Sequence, residues 1–319
     1  MNVKTDANIH TSVLLEELVW AINISDTRQN IVVDCTLWLA GHASEVLKKM
    51  KPGDIFVGFD ADERNLKLAK EKLEKTKTQY FPSGDIKIVL IHSNFEHLRE
   101  KLSEHNIESI TGICYDLGVS SMHFDAAERW FSLRLDGPLD MRFDASEWKT
   151  AADILNFYEE KDLFQIFREY WEEPHARKIA ARVIAGRKKQ KFKTTFDLNN
   201  FLEKEINSHI KTKTRVFQAL RIEVNGELET LKKSLFQAIE LLQSEWNLFV
   251  ISFHSLEDRI VKQIIKKETR DCICSDIICT CHHKKSLKIV TKKPLLPSET
   301  EQKINSRSRS AKARHAIKI

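Results

Sequence analysis

Glycine is scarce in this chain, at nine of 319 residues, or about 3% where ordinary usage is ~7%. Apolar runs are short, and none reaches the roughly 18 residues of a membrane span, which excludes a helical membrane protein. The opening residues, MNVKTDANIH, contain no apolar signal core, so a cytoplasmic protein is expected. Six cysteines in a chain of this length are too few for a disulfide scaffold. With charged residues at 30% and hydrophobic residues at 42%, the composition is that of a globular protein and excludes a disordered one. The length suits one large domain or two ordinary ones.

The net charge of +5 is unevenly placed. From Lys284 onward there are 11 Lys/Arg against two Asp/Glu, whereas the rest of the chain has 40 against 44. The body is mildly acidic and the end strongly basic. Such an end is either a solvated terminus or a contact for a polyanion such as nucleic acid.

Short β-branched runs alternate with helical stretches in the first third. Ile31–Asp34, Ile55–Asp60, Ile86–His92 and Gly112–Asp116 read as strands, and 43–50, 62–76 and 94–104 as helices. This alternation predicts a parallel sheet with crossover helices, an α/β fold. Three of the four runs end in a carboxylate (Asp34, Asp60, Asp116), and ligands of open α/β sheets bind at the carboxyl ends of strands. The alternation stops from about 126 to 216, where helical patterns mix basic and aromatic residues; this predicts an inserted helical domain. A long amphipathic helix follows, with Phe217, Leu220, Val224, Leu228, Leu231, Leu235, Ile239 and Leu242 on one stripe. The strand pattern resumes at Leu248–Phe253.

Five motifs carry possible chemistry. Asp34-Cys-Thr-Leu-Trp-Leu-Ala-Gly-His42 joins the first strand to the next helix, as a nucleotide-binding turn does, though only Gly41 of the expected glycines is present; an ordinary strand–helix turn is the alternative. Asp60 is placed to accept from ribose hydroxyls, the alternative being that Asp60 or Asp62 caps the helix beginning near Glu63. Asp116-Leu-Gly-Val-Ser-Ser121 faces the switch point, or is a turn built on Gly118. In His254-Ser-Leu-Glu-Asp258, Ser255 and Asp258 have capping-box spacing, and His254 is either structural or able to reach a substrate. Cys272-Ile-Cys274 and Cys279-Thr-Cys281 are weak metal candidates, since a C-x-C pair is tighter than the usual zinc knuckle; reduced surface thiols are the expectation.

In order along the chain stand His10-Thr-Ser-Val-Leu-Leu15, Ala40-Gly41-His42, Asp116-Leu-Gly-Val-Ser-Ser121, Asp136-Gly-Pro-Leu-Asp-Met-Arg142, Arg215-Val-Phe-Gln-Ala-Leu-Arg221, Ile251-Ser-Phe-His-Ser-Leu-Glu-Asp-Arg259 and Ser306-Arg-Ser-Arg-Ser-Ala-Lys312. Together they closely resemble the bacterial MraW/RsmH family. The resemblance implies an S-adenosyl-L-methionine-dependent enzyme that methylates N4 of a cytidine in the decoding centre, at the P site, of 16S rRNA in the small ribosomal subunit. It implies a Rossmann-like methyltransferase fold with an inserted helical domain. The expected parts are 1–125 and 217–283 for the methyltransferase domain, 126–216 for the substrate-recognition insertion, and 284–319 for a basic C-terminal tail. Cofactor contacts are implied at Ala40, Gly41, His42, Asp60, Phe95, Asp116 and His123. Ala40 stands where the family has glycine and His123 where it has glutamine.

Also against the family pattern, Trp38, Trp130, Trp148, Trp171 and Trp246 fall where glycine is usual. Tryptophan and glycine are physically the least interchangeable pair. The expectation is that UGA codons read as glycine in the source are written here as tryptophan; the alternative is real divergence.

Cytosine N4 is a poor nucleophile because its lone pair is delocalised into the ring, so the reaction needs alignment and an acceptor for the N–H. Asp116, Asp140 and His254 are the candidate acceptors. Arg134, Arg142, Arg215, Arg307 and Arg309, with Phe131, are candidate RNA contacts, for splayed bases stack on aromatic or Arg groups. Two rival readings are a DNA amino-methyltransferase, whose D/N-P-P-Y/F signature is absent after the fourth strand, and a non-catalytic RNA-binding descendant, which Trp38 favours.

Overall fold

The computed structural model describes residues 12–118, 135–170, 175–206, 210–274 and 280–319. The chain divides into two compact units, one of residues 1–118 with 230–319 and one of residues 119–229. The expected boundaries, 125/126 and 216/217, lie seven residues later and 13 residues earlier than these.

The first unit is built on a seven-stranded sheet. Strands β1 (Ile31–Asp34), β2 (Ile55–Asp60), β3 (Lys87–His92), β4 (Ile110–Asp116), β5 (Leu242–Ser252), β6 (Leu287–Ile289) and β7 (Lys312–Lys318) lie in the order β3-β2-β1-β4-β5-β7-β6. The first five are parallel; β7 runs antiparallel to both β5 and β6. This is the Rossmann-like, doubly wound order, with the switch point between β1 and β4.

Both sheet faces are buried, which is why the strands read as continuous apolar runs rather than alternating ones. Val32, Phe56, Cys114 and Phe249 pack on one face, under helices α1 (Leu15–Ile22), α2 (Gly41–Leu47) and α3 (Glu63–Tyr80). Val33, Val57, Ile113 and Val250 pack on the other, under α4 (Leu98–Glu104) and two helices after the insertion.

The second unit is helical, as expected of the insertion. Helices α5 (Ala151–Phe157), α6 (Glu160–Glu169), α7 (Ala176–Lys189), α8 (Thr195–Ile206) and α9 (Ile210–Asn225) enclose a core that includes Leu155, Phe167, Val183, Leu202 and Leu220. The long amphipathic helix expected from Phe217 to Leu242 is instead two helices, α9 and α10 (Glu227–Leu241). Gly226 between them has φ +58, a left-handed backbone that ends a helix and that glycine adopts without a steric penalty. The stripe thereby serves two cores: Phe217 and Leu220 pack in the helical unit, Leu231 and Leu235 under the sheet.

The basic C-terminal segment, expected to be a tail, supplies two strands. β7 lies between β5 and β6, so Ala313 and Ala316 are fully buried and Arg314 and His315 nearly so. Small residues at those positions let the sheet pack closely, and the pattern is too polar to read as a strand in isolation. Arg314 donates to both carboxylate oxygens of Asp258, at 2.7 and 3.2 Å, in α11 (Ser255–Glu268). Among the described residues no helix is long and apolar enough to cross a membrane.

Breaking a buried ion pair leaves the surviving charge uncompensated. Arg314→Ala is therefore expected to lower the unfolding free energy by about 3 kcal/mol, read as a drop in the urea midpoint at unchanged slope. An unchanged midpoint would show that β7 docks without this pair.

Candidate functional site

The turn after β1 is held between two neighbouring strands. Cys35 N donates to Cys114 O of β4 at 3.0 Å, and Leu37 N donates to Phe59 O of β2 at 2.9 Å. The turn thus continues the pairing of β1 in both directions before it enters α2. It can approach β2 this closely because Gly58 lies opposite Leu37; a Cβ at position 58 would meet the Leu37 methyls at 2.9 Å.

Asp60 and Asp116, at the ends of β2 and β4, flank this turn, and Asp34 lies at its start. All three carboxylates are buried. Asp34 accepts from Thr36 N at 3.0 Å, and Thr36 Oγ1 in turn accepts from Asp116 N at 2.5 Å. Asp60 accepts from Trp38 N at 2.9 Å, Asp62 N at 2.8 Å and Asn65 Nδ2 at 3.3 Å. Burial pushes Asp60 up to about 7, helped by neighbouring Asp62 and opposed by those donors. Burial likewise raises Asp34 to about 6, against the pull of Thr36. Asp116 is driven well above the carboxylate range by burial first, then by Asp34 and Glu257.

Asp116 has one oxygen, Oδ1, buried without a hydrogen-bond partner. Its Oδ2 lies 3.5 Å from His42 Nδ1. His42 Nε2 is 2.8 Å from Val13 O, and since a carbonyl only accepts, Nε2 carries the proton. The Asp116–His42 pair therefore needs one further proton between Oδ2 and Nδ1. An orphaned, buried carboxylate oxygen costs free energy unless a donor reaches it, which marks this crevice as built for a ligand with N–H or O–H groups.

Of the expected cofactor contacts in this unit, Ala40, Gly41, His42, Asp60 and Asp116 lie in or beside the turn after β1. Ala40 has φ +54 and caps α2, a backbone that suits the glycine the family carries there. Gly41 lies so near Ser12 that a Cβ would be 1.9 Å from its Oγ. Phe95 opens the short 3-10 turn Phe95–His97 after β3 and sets its ring edge-on to Tyr115, centroids 5.7 Å apart. His123 lies outside the described residues, as do Phe131 and Arg134.

Trp38 is the feature that motif reading placed in the turn without its geometry. Its φ is +49, a left-handed conformation that is an outlier for a bulky residue. Its indole crosses the crevice, and Nε1 donates to Asp116 O at 2.8 Å. Trp246 is buried with its indole N–H lacking an acceptor. Trp148, by contrast, is 80% exposed and meets no such constraint. Trp130 and Trp171 lie outside the described residues.

The other candidates have different surroundings. His254, not Ser255, is the N-cap of α11: its Nδ1 accepts from Glu257 N at 3.4 Å, and Glu257 Oε2 accepts from His254 N at 3.2 Å. The expected Ser255–Asp258 box is thus displaced by one residue, because Asp258 is engaged by Arg314. Asp140, in the helical unit, is held by Arg142, which donates from Nε and Nη2 to its two oxygens, each at 2.6 Å. Arg142 also reaches the carbonyls of Ala145 and Glu147. Arg215 is half-buried on α9. Arg307 and Arg309 are exposed on either side of buried Ser308, in the 3-10 turn Ser306–Ser310. Cys272, Cys274 and Cys281 converge in the loop after α11, and Cys279 lies outside the described residues.

The model of the MraW methylase family matches residues 7–319. Ribosomal RNA small subunit methyltransferase H of Clostridium botulinum (strain Loch Maree / Type A3) is 41% identical, over 97% of this chain and 99% of its own length. The protein of the same name from Caldicellulosiruptor saccharolyticus is 44% identical over the same shares. That of Brevibacillus brevis is 39% identical, over 97% of this chain and 98% of its own.

A raised carboxylate pKa means that the folded state keeps a proton the unfolded chain has already released. The contribution of Asp60 to stability is then full below the unfolded value of about 4 and is lost as pH rises through about 7. His315, lowered to about 4 by burial, works in the opposite sense below pH 6.5, so the Asp60 contribution is isolated as a difference. Between pH 6.5 and 8 the free protein is expected to lose stability relative to Asp60→Asn, measured by urea unfolding at each pH. A constant difference across that window would refute the assignment.

Proposed function

The chain belongs to the MraW methylase family, and on that premise we propose that it transfers a methyl group from S-adenosyl-L-methionine to N4 of a cytidine in the decoding centre of 16S rRNA. The carrying observation is the set of buried carboxylates at the ends of β1, β2 and β4, with Asp116 Oδ1 lacking a partner. That acceptor-rich crevice at the switch point suits a ligand rich in hydroxyl and ammonium groups.

S-adenosyl-L-methionine supplies a methyl already activated on a sulfonium. Asp60 is the acceptor for ribose hydroxyls, and Asn65 keeps its carboxylate oriented. Asp116 and His42 hold a shared proton site beside the turn. In its deprotonated state that pair can accept hydrogen bonds from an amine and draw off the proton that a methylated amine must lose.

The helical unit suits the nucleic-acid side. Its α7 exposes Arg177, Lys178, Arg182, Lys188 and Lys189. A cleft of about 350 Å³ is lined by Arg182, Lys189, Lys191 and Lys204 together with Phe192 and Phe201, with Asp197 and Glu205 also at its wall and Glu205 paired to Arg182 at 3.4 Å. Basic and aromatic groups in one cleft match single-stranded RNA, whose bases stack while phosphates pair. Arg307 and Arg309 offer further phosphate contacts, with affinity that falls as salt rises.

Position 38 bears directly on this reading. The acceptors fit the cofactor, but the Trp38 indole crosses the same crevice, and its left-handed backbone is one that glycine takes freely. Glycine at 38, 130, 148, 171 and 246, encoded by UGA, reconciles the motifs with the geometry. If tryptophan is truly encoded, the favoured alternative is a non-catalytic RNA-binding protein.

Trp38→Gly is expected to bind S-adenosyl-L-methionine at least tenfold more tightly than the sequence as given, by calorimetry, and the gene is expected to carry UGA at those five codons. UGG codons with equal affinities would end the recoding idea. With glycine at position 38, incubation with small subunits lacking the modification should yield N4-methylcytidine on nuclease digestion and mass spectrometry. Its absence despite cofactor binding would refute the substrate. The rate is expected to rise with pH across the neutral range, and Asp116→Asn to lower kcat by about 10²-fold or more and flatten that rise.

A further inference from the structure

Three cysteine sulfurs meet in the loop between α11 and β6, away from the residues invoked above. The Sγ atoms of Cys272, Cys274 and Cys281 all lie within 4.8 Å of one another, and those of Cys272 and Cys281 are 3.9 Å apart. Tetrahedral zinc with bonds of about 2.3 Å sets its sulfurs roughly 3.8 Å from each other. None of the three is in a disulfide.

The backbone is wrapped around these sulfurs. Cys274 N lies 3.4 Å from Cys272 Sγ, Ile273 N 3.5 Å from Cys281 Sγ, and Thr280 N 3.3 Å from Cys274 Sγ. Each sulfur thus accepts one amide N–H. Amide donors aimed at sulfur favour the thiolate, the form that ligates metal. The C-x-C spacing looked too tight for a knuckle in sequence. In three dimensions the reach of Cys281 from the far side of the loop supplies what the short spacing lacks.

The ends of the loop are tied where Ser286 N donates to Glu268 O and Ser286 Oγ to Glu268 Oε2, each at 2.8 Å. Between those ties none of the described residues is buried, so the described part of the loop draws on no apolar core. The other two described cysteines, Cys35 and Cys114, are fully buried in the sheet and behave as small apolar side chains. The loop thiols are half-exposed and reachable. Arg270, His282, His283, Lys284 and Lys285 flank the cysteines in sequence, with Asp271 paired to Lys285 at 3.5 Å. A basic setting of this kind offsets the net negative charge of three thiolates around a dication.

We propose that Cys272, Cys274 and Cys281 bind a zinc-class divalent cation as thiolates, forming a structural metal site that closes the loop between α11 and β6. Soft thiolate ligands select zinc over magnesium or calcium, and three of them leave a fourth position for another donor. Binding displaces the thiol protons and supplies cohesion to a loop whose described residues are not buried.

The test uses the full-length protein, reduced and freed of metal, titrated with Co²⁺ as a spectroscopic stand-in for zinc. The expected result is a thiolate-to-cobalt charge-transfer band that saturates at one equivalent and is abolished by equimolar Zn²⁺. The variant with Cys272→Ser, Cys274→Ser and Cys281→Ser together should show no such band while keeping the far-ultraviolet circular dichroism of the parent. Trypsin cleavage after Arg270 and Lys284 should be at least tenfold slower in the zinc-loaded parent than in the metal-free one. The proposal is overturned if no band forms, if the triple variant gives the same band, or if the parent isolated without oxidant carries a Cys272–Cys281 disulfide by mass spectrometry.

Discussion

The turn after β1 has to do two things at once. It must keep pairing with β2 and β4, through Leu37 N to Phe59 O and Cys35 N to Cys114 O, and it must also turn away into α2. That double constraint fixes everything nearby. It brings Asp60 and Asp116 to either side of one short segment and forces left-handed backbone at positions 38 and 40. It also demands the close approaches at Gly41 and Gly58. Three carboxylates end up buried around one short turn, and burial raises all three, with neighbouring Asp62 adding to the rise at Asp60 and Asp34 and Glu257 to that at Asp116. A site strained in this way, with a buried oxygen left unpaired, is stable only because the surrounding sheet over-determines it.

The second dependence runs through the C-terminus. β7 pairs with β5 along Asn247–Ser252, so the chain's most basic stretch also shields one edge of the parallel strands. Arg314 serves the fold through Asp258, whereas Arg307 and Arg309 lie just before β7 in an exposed turn. One segment therefore divides its charge by residue between structure and surface. The Glu301 carboxylate, in the helix Glu299–Ile304, accepts from Leu14 N at 2.9 Å, which ties this end of the chain to the entry of α1.

Much of this was legible in sequence because it is local. The strands β1 to β4 are short apolar runs, and their terminal aspartates announce a polar site at the carboxyl ends. The break in that pattern near 126 announced a helical insertion. What sequence misplaced depended on partners far along the chain. Gly226 divides the apolar stripe because its two halves belong to different cores, which periodicity cannot show. The cap of α11 begins at His254 because Asp258, the expected partner of Ser255, is occupied by Arg314, 56 residues away. Lys312–Lys318 did not read as a strand because its burial comes from strands on both sides and not from its own hydrophobicity.

The sequence by itself determined the family, the α/β class and the residues of the crevice, because motif order and period-coded burial are properties of the chain alone. It also determined that position 38 was anomalous. Only the tertiary structure decided how those residues are held and which of their atoms are satisfied. It showed that Asp116 lacks a donor at one oxygen while Asp140 is clasped by Arg142, and that the indole of Trp38 crosses the crevice. It also showed that cysteines seven to nine residues apart bring their sulfurs together. Hydrogen-bond satisfaction and burial are set by groups distant in sequence, and no local pattern carries them.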